Sequence, residues 1–449
     1  MALLSICIPT KNRSELLEVL LENLVREASP YLDKIEIVVA DNASTDATAE
    51  VVRCCPLPIV YGIQDRTVGF ARNVLFATAG LATGEYAWVI GDDDLILPGG
   101  VARVLDSIAK SQDVDYHYLN FGWVDFKLRP KIVREGHGHP PPSLLKRLQF
   151  SDMEWKRLPR IEDLVYLPSD NISAAFSGVF CFATRRQFFV DAVDTLHPSD
   201  SLDGSSTLID DCFPHAILTL PRVAGKPIAY IGTPCLMQGI SGWEWGGYAY
   251  KNMIFGTHQF FEWLETTSFA ADAMDRLWES YFQMAGRLFF RMLYYQDEHK
   301  GLDIVLDRAI PSSAGQMAFW NAFMEESRLN FDTDHDARTL SALAAQTIAE
   351  NPDARMGLWG VLGRGQRFVK FSPQLKPNLV WVADKNPALL GTPLDGTELN
   401  IADPDTLGVA DLDILVIGAR EEFVDEIIRA AKPVLKPGAT ILSTRGRQA

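Results

Sequence analysis

Apolar residues come in short bursts over the first hundred positions, and each burst closes on a polar loop. Residues 3–8 are almost wholly apolar and read as a buried strand. Pro9-Thr10-Lys11-Asn12-Arg13 is the loop that follows. Ser14 stands where it can cap a helix whose Leu17, Leu20, Leu21 and Leu24 fall at helical spacing. Residues 35–40 repeat the strand pattern and end in Asp41-Asn42-Ala43-Ser44-Thr45-Asp46. A helix over 47–53, a strand over 59–61, a helix over 69–79 and a strand over 86–90 follow. This alternation predicts a parallel sheet covered on both faces and joined by right-handed crossovers.

Beyond residue 100 the pattern changes twice. Residues 114–126 and 174–184 read as strands, the second running into a helix at Arg185. From about 245 to 350 the chain reads as helical. Leu277, Tyr281, Met284, Leu288, Met292 and Tyr295 form one apolar stripe there, the mark of a packed face rather than a cofactor box. Asn351-Pro352-Asp353 breaks that pattern. Strands over 379–383 and 414–417, with a glycine-rich turn at Gly360, Gly363 and Gly365, predict a small Rossmann-like α/β unit of about 95 residues. Three regions are therefore expected, at 1–244, 245–350 and 351–449.

Composition narrows the function classes. A chain of 449 residues exceeds one ordinary core. Its net charge of −16 argues against nonspecific binding to nucleic acid or anionic lipid. Apolar runs are short and broken by charge, so no transmembrane segment is expected. The start of the chain lacks a basic n-region and enters strand-like sequence directly, unlike a signal peptide. Cys7, Cys54, Cys55, Cys181, Cys212 and Cys235 form no CxxC pair and read as reduced residues of a cytoplasmic protein.

The candidate chemistry centres on Asp92-Asp93-Asp94, which follows the strand at 86–90 and precedes the turn Pro98-Gly99-Gly100. Three carboxylates at a strand tip repel one another. A magnesium or manganese ion carrying a diphosphate would reconcile them, since hard cations take oxygen ligands. The alternative is a solvated acidic turn that caps the next helix. The loops at Pro9-Thr10 and Asp41–Asp46 share the same sheet edge, where open α/β sheets bind ligands. Asp41 is placed to accept from a nucleotide base, Asp93 or Asp94 to hold ribose or metal, and Arg72 and Asn73 to approach the nucleotide.

Ser5-Ile-Cys-Ile-Pro-Thr-Lys-Asn-Arg13, Glu36-Ile-Val-Val-Ala-Asp-Asn-Ala-Ser-Thr-Asp46, Gly69-Phe-Ala-Arg-Asn73 and Gly84-Glu-Tyr with the Asp triplet resemble glycosyltransferase family 2. The resemblance covers residues 1–100 most closely, extends to about 240 and does not reach the C-terminal third. It implies a GT-A (nucleotide-diphospho-sugar transferase-like) fold, a nucleotide-sugar donor, Mg2+ or Mn2+ at a DxD-type motif and inversion at the anomeric carbon. It implies donor contacts from Pro9, Thr10, Asn12, Arg13, Asp41, Asn42, Arg72, Asn73, Asp92 and Asp93, and metal contacts from Asp94 and Asp93. Gly91 stands where many members have Asp, which leaves the register of the metal ligand open within the triplet. Asp210-Asp211 matches the place of the family's carboxylate base, with Asp211 favoured. Asp200 and Asp203 are rivals, and a helix cap is the bland alternative. Gln238-Gly-Ile-Ser-Gly-Trp243-Glu-Trp245 sits where processive relatives carry Gln-x-x-Arg-Trp. The Arg is missing, which implies a nonprocessive enzyme adding one sugar. Trp243 and Trp245 are candidates to stack on the acceptor.

The expected partners are a nucleotide-diphosphate sugar and a glycan, lipid-linked or protein-linked acceptor. The setting is bacterial surface polysaccharide synthesis, in the cytoplasm or at the inner membrane face. In the tail, Gly360-Val-Leu-Gly363-Arg-Gly365 with Asp384 about 20 residues on is similar to a dinucleotide fingerprint. A structural or homo-oligomerising role is the alternative there. Two other functions remain open: a degenerate GT-A-like binding or scaffold protein, and a sugar nucleotidyltransferase. The glycine-rich N-terminal loop usual in the latter is absent from Pro9–Arg13.

Overall fold

The computed structural model describes residues 2–448 except 143, 147, 195, 197–204, 241–246, 295–299, 387–388 and 406–410. It divides into two compact units, Met1–Phe323 and Met324–Ala449.

The first unit is built on a nine-stranded mixed sheet. Strands β1 (Leu4–Thr10), β2 (Ile35–Asp41), β3 (Ile59–Ile63) and β4 (Tyr86–Val89) pair in parallel, in the order β3-β2-β1-β4. The hydrophobic alternation predicted these four with small changes at their ends. Helices α1 (Ser14–Ala28), α2 (Thr48–Cys54) and α3 (Phe70–Leu75) lie in the crossovers. The helix expected over 69–79 changes at Phe76 into a π-helical turn, Phe76–Leu81. Ser14 does not cap α1. It is the first helical residue, and its N–H donates to Asp46 Oδ2 at 2.9 Å. A side chain from the next strand-end loop thus satisfies one of the orphan donors of the helix.

The sheet continues through β5 (Leu95–Ile96), β6 (Tyr116–Asp125), β7 (Trp155–Leu158), β8 (Phe182–Arg185) and β9 (Ile228–Ile240). β8 runs antiparallel between β4 and β6, and β9 pairs with β6, β5 and β7. Helix α4 (Gly100–Lys110) packs on β9, and α5 (Arg129–Arg134) follows β6. The strand expected over 174–184 shrinks to β8, because residues 172–174 form a 3-10 turn whose neighbour Ala175 accepts from Tyr118 Oη at 2.8 Å.

The expected breaks at 244 and 350 give way to a single division inside the helix Met317–Glu350. The helices from 249 onward do not form a separate body. Ile254, Phe260, Phe261, Leu277, Tyr281 and Phe319 belong to one buried cluster with Leu4, Ile37 and Trp88 of the sheet. Among the stripe residues, Leu277, Tyr281, Leu288 and Met292 are buried, and Tyr295 lies outside the described residues.

The second unit has five strands, β10 (Met356–Trp359), β11 (Leu379–Ala383), β12 (Ile414–Ile417), β13 (Thr440–Ser443) and β14 (Gly446–Gln448). Their order is β11-β10-β12-β13-β14, parallel except for the last pair. This is the 2-1-3-4-5 order of doubly wound sheets. Leu358, Val382 and Val416 face one buried cluster, and Trp359, Ala383 and Ile417 face another, so both faces are covered.

Candidate active site

The Asp triplet is a tight turn beyond β4, and its three carboxylates have three different environments. Asp94 is buried, and its side chain turns inward. Oδ2 accepts from Gly91 N at 2.7 Å and Oδ1 from Gly239 N at 3.2 Å. Asp92 is buried as well, accepting from Thr10 Oγ1 at 2.8 Å and Arg13 Nη1 at 2.5 Å. Asp93 sits at the rim with its side chain 16% exposed, and meets Arg13 Nη2 at 3.2 Å. Burial pushes the carboxyls of both Asp92 and Asp94 above the ordinary range. The charge of Asp93 adds to this at Asp94, and Arg13 opposes it at Asp92.

Beneath the turn lies Arg129, which sequence reasoning missed. It is 1% exposed and donates from Nη2 to Asp92 O at 3.0 Å and Leu16 O at 3.3 Å. Its Nε and Nη1 are buried without a hydrogen-bond partner. Burial pulls its guanidinium below the usual value, and the charges of Asp93, Asp94 and Asp92 act against this. Arg129 is the buried countercharge of an acidic turn, which explains how three adjacent carboxylates are tolerated. Its sequence context, Leu128-Arg129-Pro130, shows only a helix start.

β9 closes the turn from the other side. A Cβ at Gly239 would stand 2.1 Å from the carbonyl oxygen of Asp93. Only glycine admits that approach.

The loops after β1 and β2 are tied to each other. Asn12, in the left-handed region at φ 50, donates its N–H to Ser44 Oγ at 2.8 Å and accepts from Thr45 N at 2.7 Å. Asp41 accepts from Ser44 N at 2.8 Å and Tyr61 Oη at 2.6 Å. Asn42 holds Val68 reciprocally, donating to its carbonyl at 2.7 Å and accepting from its N–H at 2.8 Å. Asn73 donates to Ala40 O at 2.9 Å, while its buried Oδ1 has no partner. Pro9 and Thr10 are buried beside them. The structure therefore gathers Pro9, Thr10, Asn12, Arg13, Asp41, Asn42, Asp92, Asp93 and Asp94 at one strand-end crevice, with Arg72 and Asn73 on α3. Asn12, Asn42 and Asn73 build the crevice; Arg13, Arg72 and Asp93 retain exposed surface.

Asp210 and Asp211 lie on the one-turn helix Ile209–Cys212, which packs against α3 and so borders the same region as Arg72. The helix is held by Phe213 stacked on Phe260, with ring centroids 4.8 Å apart. Asp211 Oδ2 accepts from Ser206 Oγ. Trp243 and Trp245 lie outside the described residues, as do Asp200 and Asp203.

Among the described residues, no group of three or more His, Cys, Asp or Glu is arranged to hold a metal ion. The residues still fit a magnesium-type site, which commonly takes one or two carboxylates and completes its shell with substrate phosphates and water. Asp93 has the most exposed carboxylate of the three for that role, with Arg13 Nη2 beside it at 3.2 Å. Asp94, named first from the sequence, has both oxygens engaged by backbone N–H groups.

In the second unit, Asp384 ties the glycine-rich turn to the loop after β11. Its Oδ2 accepts from Val361 N at 2.9 Å and its Oδ1 from Asn386 N at 2.8 Å. Gly360, Gly365 and Gly418 pack backbone to backbone: a Cβ at Gly365 or Gly418 would come within 2.4 Å of Gly360 O. These glycines are explained by close packing around the turn.

Residues 5–189 match the model of glycosyl transferase family 2. The abequosyltransferase RfbV of Salmonella typhimurium is 40% identical over 114 residues, covering 24% of this chain and 33% of that protein. The chain thus spans about a third of that curated relative's length. Among solved structures, S. aureus TarS 1–349 in complex with UDP is similar at 16% identity, over 66% of this chain and 72% of that one, with a TM-score of 0.40. The mannosyltransferase PcManGT from Pyrobaculum calidifontis, in complex with GDP-Man and Mn2+, is similar at 16% identity over 72% and 84%, with a TM-score of 0.39. Scores this low give no support to a shared chemistry. The match to glycosyl transferase family 2 over residues 5–189 includes the strand-end residues from Pro9 to Arg129, while Asp210, Asp211 and Gly239 lie beyond it.

Proposed function

We propose that this protein is a metal-dependent, inverting and nonprocessive glycosyltransferase. It moves one sugar from a nucleotide-diphosphate donor to a hydroxyl of a glycan or glycoconjugate, in the cytoplasmic steps of bacterial surface polysaccharide synthesis. The observation that carries the reading is the rim position of Asp93. The most exposed carboxylate of the triplet, on a turn neutralised from beneath by Arg129, faces a crevice built by two further strand-end loops. The name of the Salmonella relative, an abequosyltransferase, supports the class of reaction.

In this reading the loops at Pro9–Arg13 and Asp41–Asn42 seat the nucleotide. Asp41 keeps lone pairs for a base N–H beyond the two contacts it already accepts. Arg13 and Arg72 supply positive charge beside the diphosphate. Asp93 would hold a magnesium or manganese ion, which when bound neutralises charge on the departing diphosphate. Asp211 takes the proton of the acceptor hydroxyl, with Asp210 beside it; a positioned base typically contributes about 10²–10⁴-fold. No helix among the described residues is long and apolar enough to cross a membrane, in keeping with release after one transfer.

The test is release of nucleoside diphosphate from a panel of UDP-, GDP- and CDP-sugars with manganese, followed by NMR of the product's anomeric centre. Release that requires the metal and is lost in Asp93→Asn is the expected result. Binding without turnover for every donor would favour a scaffold protein. Pyrophosphate release from a nucleoside triphosphate and a sugar phosphate would favour a nucleotidyltransferase.

A further inference from the structure

The one-turn helix that carries Asp211 is tied through the residue three positions before it. Ser206 Oγ donates to Asp211 Oδ2 and accepts from Leu208 N at 3.1 Å. The Ser206 backbone carbonyl accepts from Lys251 Nζ at 2.5 Å. Lys251 is 0% exposed. Its Nζ lies 5.7 Å from the centre of the Tyr248 ring, and its stem packs on Gly301, where an added Cβ would stand 2.7 Å from Lys251 Cγ. Cys212, next to Asp211, is influenced by both groups: burial pushes its thiol up to about 11, the Lys251 charge opposes this and the Asp211 charge adds to it.

A lysine is almost never fully buried unless paired, and taking an ammonium out of water costs several kcal/mol. That ammonium is held on the carbonyl of the same residue whose hydroxyl binds Asp211 and accepts from Leu208 N, just ahead of the helix. We propose that Lys251, acting through Ser206, is a positioning residue for Asp211. It fixes the approach to the helix so that the carboxylate meets the acceptor hydroxyl in one orientation. This inference rests on the reading of Asp211 as the base.

The experiment uses the full chain, with manganese and a donor found active in the panel above, water standing for the acceptor. Lys251→Ala, Ser206→Ala and Asp211→Asn are compared for kcat and donor KM of hydrolysis, nucleoside diphosphate affinity and melting temperature. Lys251→Ala and Ser206→Ala should each lower kcat by about tenfold or more. Donor KM and nucleotide affinity should stay within about twofold of the wild type. Added propylamine should restore part of the turnover of Lys251→Ala. Should Lys251→Ala fail to fold, Lys251→Met, which keeps the buried stem and removes the ammonium, decides in its place. Wild-type kcat in both variants with an inactive Asp211→Asn overturns the positioning role and leaves the base. Equal losses of kcat and nucleotide affinity, with lowered melting, mark a merely structural role and also overturn it. An Asp211→Asn protein with wild-type turnover overturns both readings.

Discussion

Replacing Gly239 by alanine tests the way β9 closes the acidic turn. The added Cβ would lie 2.1 Å from the carbonyl oxygen of Asp93 and 2.8 Å from its carbonyl carbon. Non-bonded carbon and oxygen atoms settle at about 3.3 Å or more, so the gap is short by at least ~1 Å. Both partners are backbone, and no side-chain rotation can relieve the clash. Either β9 leaves the turn, lengthening the 3.2 Å bond from Gly239 N to Asp94 Oδ1, or the Asp93 peptide moves and takes its carboxylate along. Overpacking of this kind costs about 1–3 kcal/mol. A ~1 Å displacement at a reacting site can cost about 10²-fold in rate. Gly239→Ala should therefore melt a few degrees lower and lose most of its donor turnover, while Gly315→Ala, with no heavy atom within 4 Å of its added Cβ, should match the wild type. Scanning calorimetry and nucleoside diphosphate release measure the two effects. A Gly239→Ala protein that equals Gly315→Ala in both would refute the proposed contact between β9 and the turn.

The carboxylates of Asp93 and Asp94 should separate. Asp93→Asn is expected to keep its melting temperature and lose at least about 10²-fold in transfer. Asp94→Asn is expected to lose about 1–3 kcal/mol of stability, because its amide group must face a backbone N–H of Gly91 or Gly239; the reverse ranking would reassign the metal ligand. Arg129→Met should destabilise the protein by about 3–5 kcal/mol in urea unfolding, and adding Asp92→Asn should recover part of it. Strict additivity of that pair would deny the countercharge. Asp46 is pushed up by burial, but hydrogen bonds from Thr48 and Ser14 outweigh this and bring it from 3.8 down to about 2. Its folded form releases the proton more readily than the unfolded chain, so its contribution is full above about pH 4 and is lost as pH falls toward 2. Stability curves of Asp46→Asn and wild type should thus converge over that interval, and parallel curves would contradict the assignment.

The first four strands were legible in the sequence, because β1, β2 and β4 are buried and so mainly apolar, β3 is a short apolar edge strand, and each closes on a polar loop. Their order along the chain was enough to place Thr10, Asp41 and the Asp triplet at one sheet edge, since every strand of a βαβ series points the same way. The same alternation marked the tail as a second α/β unit. What the pattern did not contain was any pairing between residues distant in the chain. Asp46 rather than Ser14 satisfies the start of α1, Arg129 neutralises a turn 37 residues before it, and Gly239 closes on Asp93 from 146 positions away. The division between units lies within one continuous helix, where no glycine or proline interrupts the chain. The sequence also presents three equal aspartates. Only the tertiary structure makes them different, by giving Asp92 an arginine, Asp94 two backbone donors and Asp93 the rim, since burial and hydrogen bonding are set by what folds against a residue rather than by the residues beside it in the chain.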